Sequence, residues 1–303
     1  MSKKIIIILL ALWLASLAPV SVFAEDAADG GVPGAFLRFG IGARAQSMGN
    51  AFVAVGNDAT AGYWNPAGLS QLRNNEISFF HVNLFASDAG YDAIGFSYLL
   101  SPKDRIGINW LREYAGIVQG YSNEGSQTHS FSADRNGLLL SYSRKLYSTL
   151  FLGSSMKLIT QSIDSYAGTG FGLDMSVLYI PLPNLYIGLN AQNVVPPRIR
   201  LKQDGEVDIY ALNIKMGASF RFNNDKIIFC IDGDKTTDRN FKVHYGAEIW
   251  LLEALALRAG LDQSNVTGGF GIKISTFVFD YAFVTHDLGN THRFGVSFQF
   301  GGV

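Results

Sequence analysis

The sequence predicts an all-β fold, a transmembrane antiparallel β-barrel of about fourteen strands. Three observations predict it. Apolar residues recur with period two in one segment after another, and the connections between those segments alternate between tight and long. The composition is also unusual for a water-soluble domain, with 33 glycines, 13% aromatic and only 16% charged residues, where charge nearer a quarter is normal.

The chain opens with Lys3 and Lys4, an apolar run from Ile5 to Leu14, and small residues at Val22 and Ala24 ahead of acidic Glu25 and Asp26. This pattern reads as a signal peptide over residues 1–24. The run is too short for a transmembrane helix, which needs about 20 apolar residues. Cys230 is the only cysteine, so no lipidation cysteine follows the signal and no intramolecular disulfide can form. A net charge of −1 supplies no long-range field, and no nucleic-acid partner is expected.

Residues 25–74 lack sustained alternation; residues 75–303 carry it throughout. In "RFGVSFQF" Phe294, Val296, Phe298 and Phe300 share one face, with Arg293, Gly295, Ser297 and Gln299 on the other, because successive strand side chains point to opposite sides. Phe277, Phe279, Tyr281 and Phe283 oppose Asp280 and Ala282. Leu255, Leu257 and Leu261 oppose Arg258 and Gly260, while Ile214, Met216, Phe220 and Phe222 oppose Lys215, Ser219 and Arg221. A soluble sandwich would bury the apolar face as its core, whereas an outer-membrane barrel turns it to lipid. Connection lengths favour the barrel. Tight links at Ser101–Asp104, Tyr147, Pro181–Asn184, Asn223–Asp225, Glu253 and Ser275–Thr276 alternate with longer ones expected at Ala115–Ser130, Ser162–Thr169, Asn193–Asp208, Gly233–Asn240 and His286–Asn290. Short turns on one side and longer loops on the other are the mark of such barrels, with both strand termini on the turn side.

Two stretches, "GARAQSMGNAFVAVGNDATAGYWNPAGLSQL" (Gly42 to Leu72) and the segment from Tyr245 to Phe300, resemble the PorV/PorQ family of outer-membrane proteins, distant relatives of the FadL-type fatty-acid channels. The resemblance implies that residues 25–74 form a hatch or plug inside the barrel. It places Asn65, Pro66 and Ala67 in the hatch turn, with Tyr63 and Trp64 packed on the lumen wall and Gly68 allowing close backbone approach. The end of the chain is similar to the assembly signal of bacterial barrels, with Arg293, Gly295, Phe298 and Phe300 in the corresponding places. This implies contact with the barrel assembly machinery and with outer-membrane lipid of a diderm bacterium.

The resemblance implies an accessory role in type IX-like protein secretion, with secretion components and cargo proteins as partners at the outer loops, chiefly Ala115–Ser130 and Asn193–Asp208. The alternative it leaves open is a FadL-like passive channel for long-chain fatty acids or other hydrophobic small molecules, with Phe151, Tyr186 and Trp64 as inner candidates. No enzyme is expected: H-E-x-x-H and G-x-S-x-G are absent and the five histidines lack metal-ligand spacing. Asp232, Asp234 and Asp238 loosely suggest a calcium loop, but Val243 stands where a bidentate Glu is required, so no metal and no cofactor is expected. Lys242, Glu248, Arg258, Lys273, Asp280 and Arg293 fall on the predicted inner face. They read as a lumen charge network bracing the wall, since an unpaired charge there is costly, and Asp280 is expected with Arg258 and Arg293. The glycines of "GTGFG" (Gly168 to Gly172) and "GGFG" (Gly268 to Gly271) read as places for bending or for close approach of the hatch.

Overall fold

The computed structural model describes residues 32–84, 88–122, 125–201, 205–237 and 239–302; the signal peptide, residues 25–31 of the expected hatch segment and Asp238 lie outside them. Fourteen strands close into an antiparallel barrel. In chain order the strands are β1 (Asn74–Asn83), β2 (Gly90–Ser101), β3 (Asp104–Tyr121), β4 (Gln127–Tyr147), β5 (Leu150–Ile163), β6 (Tyr166–Leu182), β7 (Leu185–Val195), β8 (Arg198–Ile199), β9 (Asp208–Ile209), β10 (Asn213–Phe222), β11 (Ile227–Thr236), β12 (Phe241–Trp250), β13 (Leu255–Asp262), β14 (Asn265–Ile274), β15 (Phe277–Val284) and β16 (Thr291–Gly302). The short β8 and β9 pair only with each other, so β7 pairs with β10. β1 closes the cylinder on β16, with Ile77 opposite Phe298.

The alternation is realised with the apolar face outward. On β10, Met216 is 58% exposed and Lys215 6%, the reverse of a soluble sandwich. An outer belt of Phe79, Phe220, Phe279 and Phe294 remains uncovered by protein, a surface that only lipid can satisfy. On β3 and β4 polar pairs bracket this belt. Arg144 meets Asp104 at 3.4 Å at the turn end, and Arg112 meets Asp134 at the loop end.

Two of the longer connections expected from sequence are largely strand, and a third is strand over its first half. β3 and β4 run for 18 and 21 residues and pair as far as Tyr121 opposite Gln127, which converts Ala115–Ser130 into a projecting hairpin. Ser162–Thr169 shrinks to a turn between β5 and β6, and β11 continues into Gly233–Asn240. The reason is physical: beyond the membrane both faces of a ribbon meet water, so alternation fades while the backbone ladder continues. β13 and β15, at eight residues each, are close to the minimum of about 9 that crossing a bilayer needs, and the rim is therefore uneven.

Ahead of β1, residues 32–73 fill the lumen. They form a 3-10 turn at Ala35–Arg38, helical turns at Ala43–Ser47 and Ala61–Trp64, and a second 3-10 turn at Pro66–Gln71. Ile41, Met48, Phe52, Trp64 and Leu69 are fully buried there. The core of the protein is thus the plug and the inner wall that grips it. Cys230 points inward as expected, buried against Met48.

Candidate functional site

The Asn-Pro-Ala turn is built locally. Asn65, ahead of a proline, is held extended (φ −160°), which ends the helical turn at Trp64. Its side-chain oxygen accepts from Ala67 N at 3.1 Å, capping the Pro66–Gln71 turn, and Pro66 occupies the first position, where no N–H is needed. The amide of Asn65 then donates outward, to Val53 O at 2.8 Å and to Val177 O of β6 at 3.2 Å. Gly68 allows the approach expected of it, since a Cβ there would stand 2.3 Å from Gly56 O.

Trp64 meets the lumen wall with its ring, under Lys215 Nζ of β10 at 5.5 Å. Both Tyr63 and Trp64 also bind within the hatch: Tyr63 OH receives Gly40 N and donates to Leu37 O, while Trp64 Nε1 donates to Ile41 O at 3.0 Å and its ring meets Phe52 edge-on. Burial pushes the Tyr63 hydroxyl up to about 12. Their carbonyls face the wall as well. Asn190 donates to Trp64 O at 2.9 Å and Gln192 to Tyr63 O at 3.4 Å.

This pattern recurs around the lumen. Asn109 donates to Ala59 O (2.9 Å), Ser141 and Ser155 to Gly62 O (3.2 and 3.1 Å), Ser143 to Ala67 O (3.0 Å), Arg221 to Ala54 O (2.9 Å) and Arg105 to Leu72 O (2.9 Å). In the opposite sense Val53 N donates to Asp232 at 2.8 Å and Ala67 N to Ser176 at 3.0 Å. The polar inner face, which in an open porin would line water, here satisfies the backbone of the plug. Each bond contributes about 1 kcal/mol, and together they anchor the hatch from most sides. Close contact completes the fit: at Gly153 of β5 a Cβ would fall 2.1 Å from Ala67 N.

The charge network forms around a residue that the sequence reading did not name. Arg44 of the hatch grips both oxygens of Glu248 at 2.8 Å and reaches Asn57 and Asp58. Arg258 donates to Glu248 at 2.6 Å and to Asp280 at 2.7 Å. Glu248, Arg258 and Asp280 are therefore brought together, but Arg293 is not among them. It stands over the Phe39 ring at 4.6 Å and donates to Thr291, because it lies farther toward the loop end on β16. Lys273 is exposed in the lumen at the turn end, and Lys242 lies opposite Asp234 in the β11–β12 ladder. Two further buried pairs escaped the sequence reading: Lys157 with Asp174 at 2.7 Å, and Lys215 with Asp234 at 2.8 Å. Period-two counting along "SSMKLIT" and "GFGLDMS" would have placed Lys157 and Asp174 on the inner face.

The remaining expected residues are placed as follows. Gly295 leaves space against Ala43 of the hatch, Phe298 meets Phe277 at 5.0 Å, and Phe300 stacks on Phe96 at 6.4 Å on the outside. Gly168, Gly170 and Gly172 make room for Pro197–Arg200 of the β7–β10 connection instead of the hatch, whereas Gly269 faces Ser47 of the hatch as expected. Gly271 accommodates the Arg258–Asp280 pair.

The hatch leaves unequal space at the two ends. At the turn end a cavity of about 780 Å³ opens, lined among others by Arg44, Glu76, Phe151, Tyr186, Glu248 and Lys273. At the loop end Phe36, Tyr91, Ile199 and Tyr210 are buried together, with Leu37, Phe39, Leu84 and Leu201 against them, and a cavity of only about 20 Å³ remains beside Lys157. The two cavities share no lining residue.

No family model and no curated protein matches this sequence. Among solved structures the barrel and plug are similar to the toluene transporter TbuX of Ralstonia pickettii, at 14% identity and a TM-score of 0.65, covering 86% of this chain and 99% of that one. They are similar also to the toluene transporter TodX of Pseudomonas putida, at 14% identity and a TM-score of 0.63, with 86% and 98% covered. A FadL homologue of Pseudomonas aeruginosa aligns at 10% identity and a TM-score of 0.57, covering 82% and 95%. The fold is FadL-like: a fourteen-strand outer-membrane-type barrel stoppered by its own N-terminal segment. PorV/PorQ membership, expected from the sequence, gains no support from these findings.

Proposed function

We propose that the protein is a passive channel for hydrophobic small molecules in the outer membrane of a diderm bacterium. The observation that carries this reading is a lumen closed by an anchored hatch, with an apolar layer at the loop end, in a barrel whose fold matches proteins described as hydrocarbon transporters over nearly their whole length. A plug held by backbone bonds stops water and ions, while the greasy layer above it is a surface on which an apolar solute can partition. The secretion role implied by the sequence resemblance is less well supported. One of the two loops expected to meet cargo, Ala115–Ser130, is a paired hairpin, and the neighbours are named as channels or transporters.

Reconstituted into liposomes, the full barrel should speed entry of an apolar aromatic such as toluene while leaving the liposomes tight to glucose. Entry of toluene no faster than into protein-free liposomes would refute the channel.

A further inference from the structure

The 20 Å³ cavity at the loop end is small but chemically incomplete. Lys157 Nζ lies 2.7 Å from Asp174 Oδ1 and also donates to Asn193 Oδ1, while Asn193 N donates to the same Asp174 Oδ1 at 2.6 Å. Asp174 is 1% exposed, and its second oxygen, Oδ2, has no hydrogen-bond partner among the described residues. A buried carboxylate oxygen without a donor is costly. The cavity beside it, lined also by Leu37, Arg38, Tyr63, Leu139, Gln192 and Asn213, has the volume of one water-sized group.

We infer that this cavity is the head-group site of the transported solute, and that it selects an apolar molecule bearing one hydroxyl, such as a phenol or an alcohol. The inference rests on the channel reading. The chemistry follows from what the site lacks. Oδ2 calls for a donor, which a hydroxyl supplies. A carboxylate head has no proton to give and would set its own oxygens against Oδ2, whatever balance Arg38 on the cavity wall lends its charge. A plain hydrocarbon would leave Oδ2 unmet. Leu37 and Leu139 give the cavity apolar lining, and Leu37 packs against the cluster that holds Phe36 and Tyr210, whose rings are 6.4 Å apart. The apolar body of the solute would enter by displacing this packing, with its hydroxyl leading.

Three solutes of similar size separate the possibilities: phenol, toluene and benzoate, titrated against the full protein in lipid nanodiscs with empty discs subtracted. Phenol should bind on the order of tenfold more tightly than toluene, the factor one hydrogen bond to a charged acceptor provides, and benzoate more weakly than phenol, because it has no donor for Oδ2. The double variant Lys157→Met with Asp174→Leu removes donor and acceptor together without leaving a charge unpaired, and phenol should then fall to within about twofold of toluene. Equal binding of phenol and toluene to the native protein would mean that the cavity holds only water, and would overturn the site while leaving the channel standing. A phenol preference that survives in the double variant would place the head group elsewhere. If none of the three binds and none crosses liposomes faster than the protein-free control, the channel reading itself falls, and this inference with it.

Discussion

The two ends of the lumen are closed by different physics. At the turn end the hatch is held by charge: Arg44, Glu248, Arg258 and Asp280 form a chain of hydrogen-bonded ion pairs beside a cavity of about 780 Å³. At the loop end it is held by apolar contact, with Phe36, Ile199 and Tyr210 interlocked and almost no free volume. Ion pairs fix position, because their geometry is directional and an unpaired buried charge is heavily penalised. Apolar contact excludes water but is non-directional and yields to another apolar body of similar size. The difference teaches that position and seal are separate functions in this plug, and that the seal is the part a hydrophobic solute could replace.

Four substitutions break or sharpen that contrast. The largest effect should come from Glu248→Ala, which strands Arg44 and Arg258 without their shared carboxylate. A loss of about 3–5 kcal/mol is expected for breaking such a pair, read as a lower temperature of heat-induced mobility shift on gels and as the appearance of ion conductance in planar bilayers. Ile199→Ala should cost about 2–4 kcal/mol of packing at the loop end. Its signature is different: glucose and ions stay excluded while toluene entry changes, because the anchored hatch is untouched. Asn65→Ala removes the cap and both amide donations, with an expected loss of about 1–2 kcal/mol; thermal scans of the purified barrel would register it, and no change would show that Pro66 alone holds the turn. Lys273→Ala should shift stability by less than about 0.5 kcal/mol, since Lys273 is exposed in the turn-end cavity. A shift as large as that of Glu248→Ala would mean that the ionic anchor extends farther than its hydrogen bonds.

The outward half of this architecture was legible in the sequence. Phe294, Val296, Phe298 and Phe300 announce a lipid face because a strand has a fixed period of two, and the same count put Glu248, Arg258 and Asp280 on the inside. A turn was readable from "NPAG", where proline and asparagine each have a local conformational reason, but its place in a hatch came only from the family resemblance. Other features could not be read in this way. Arg44 lies in a segment without periodicity, so no pattern tells where its side chain points, and it proves to be the centre of the charge network. Arg293 was assigned to Asp280 on parity alone, which gives the face but not the height along the barrel. The β3–β4 hairpin was taken for a loop because its residues outside the membrane no longer alternate. The Lys157–Asp174 pair was visible to the period-two rule but belongs to strands whose charges were not followed inward.

The uneven rim has a practical side. β4 is 21 residues long, about 70 Å along the strand, while a belt of about 25 Å, crossed at a tilt of about 40°, uses only about half of it. Its hairpin with β3 therefore stands clear of the rest of the rim, and near its tip Gly125 has open space where a side chain would be. With longer loops outward, the usual arrangement of outer-membrane barrels, that ribbon would stand beyond the membrane surface. A short affinity tag inserted beside Gly125 would report, on intact bacteria, which way up the barrel sits.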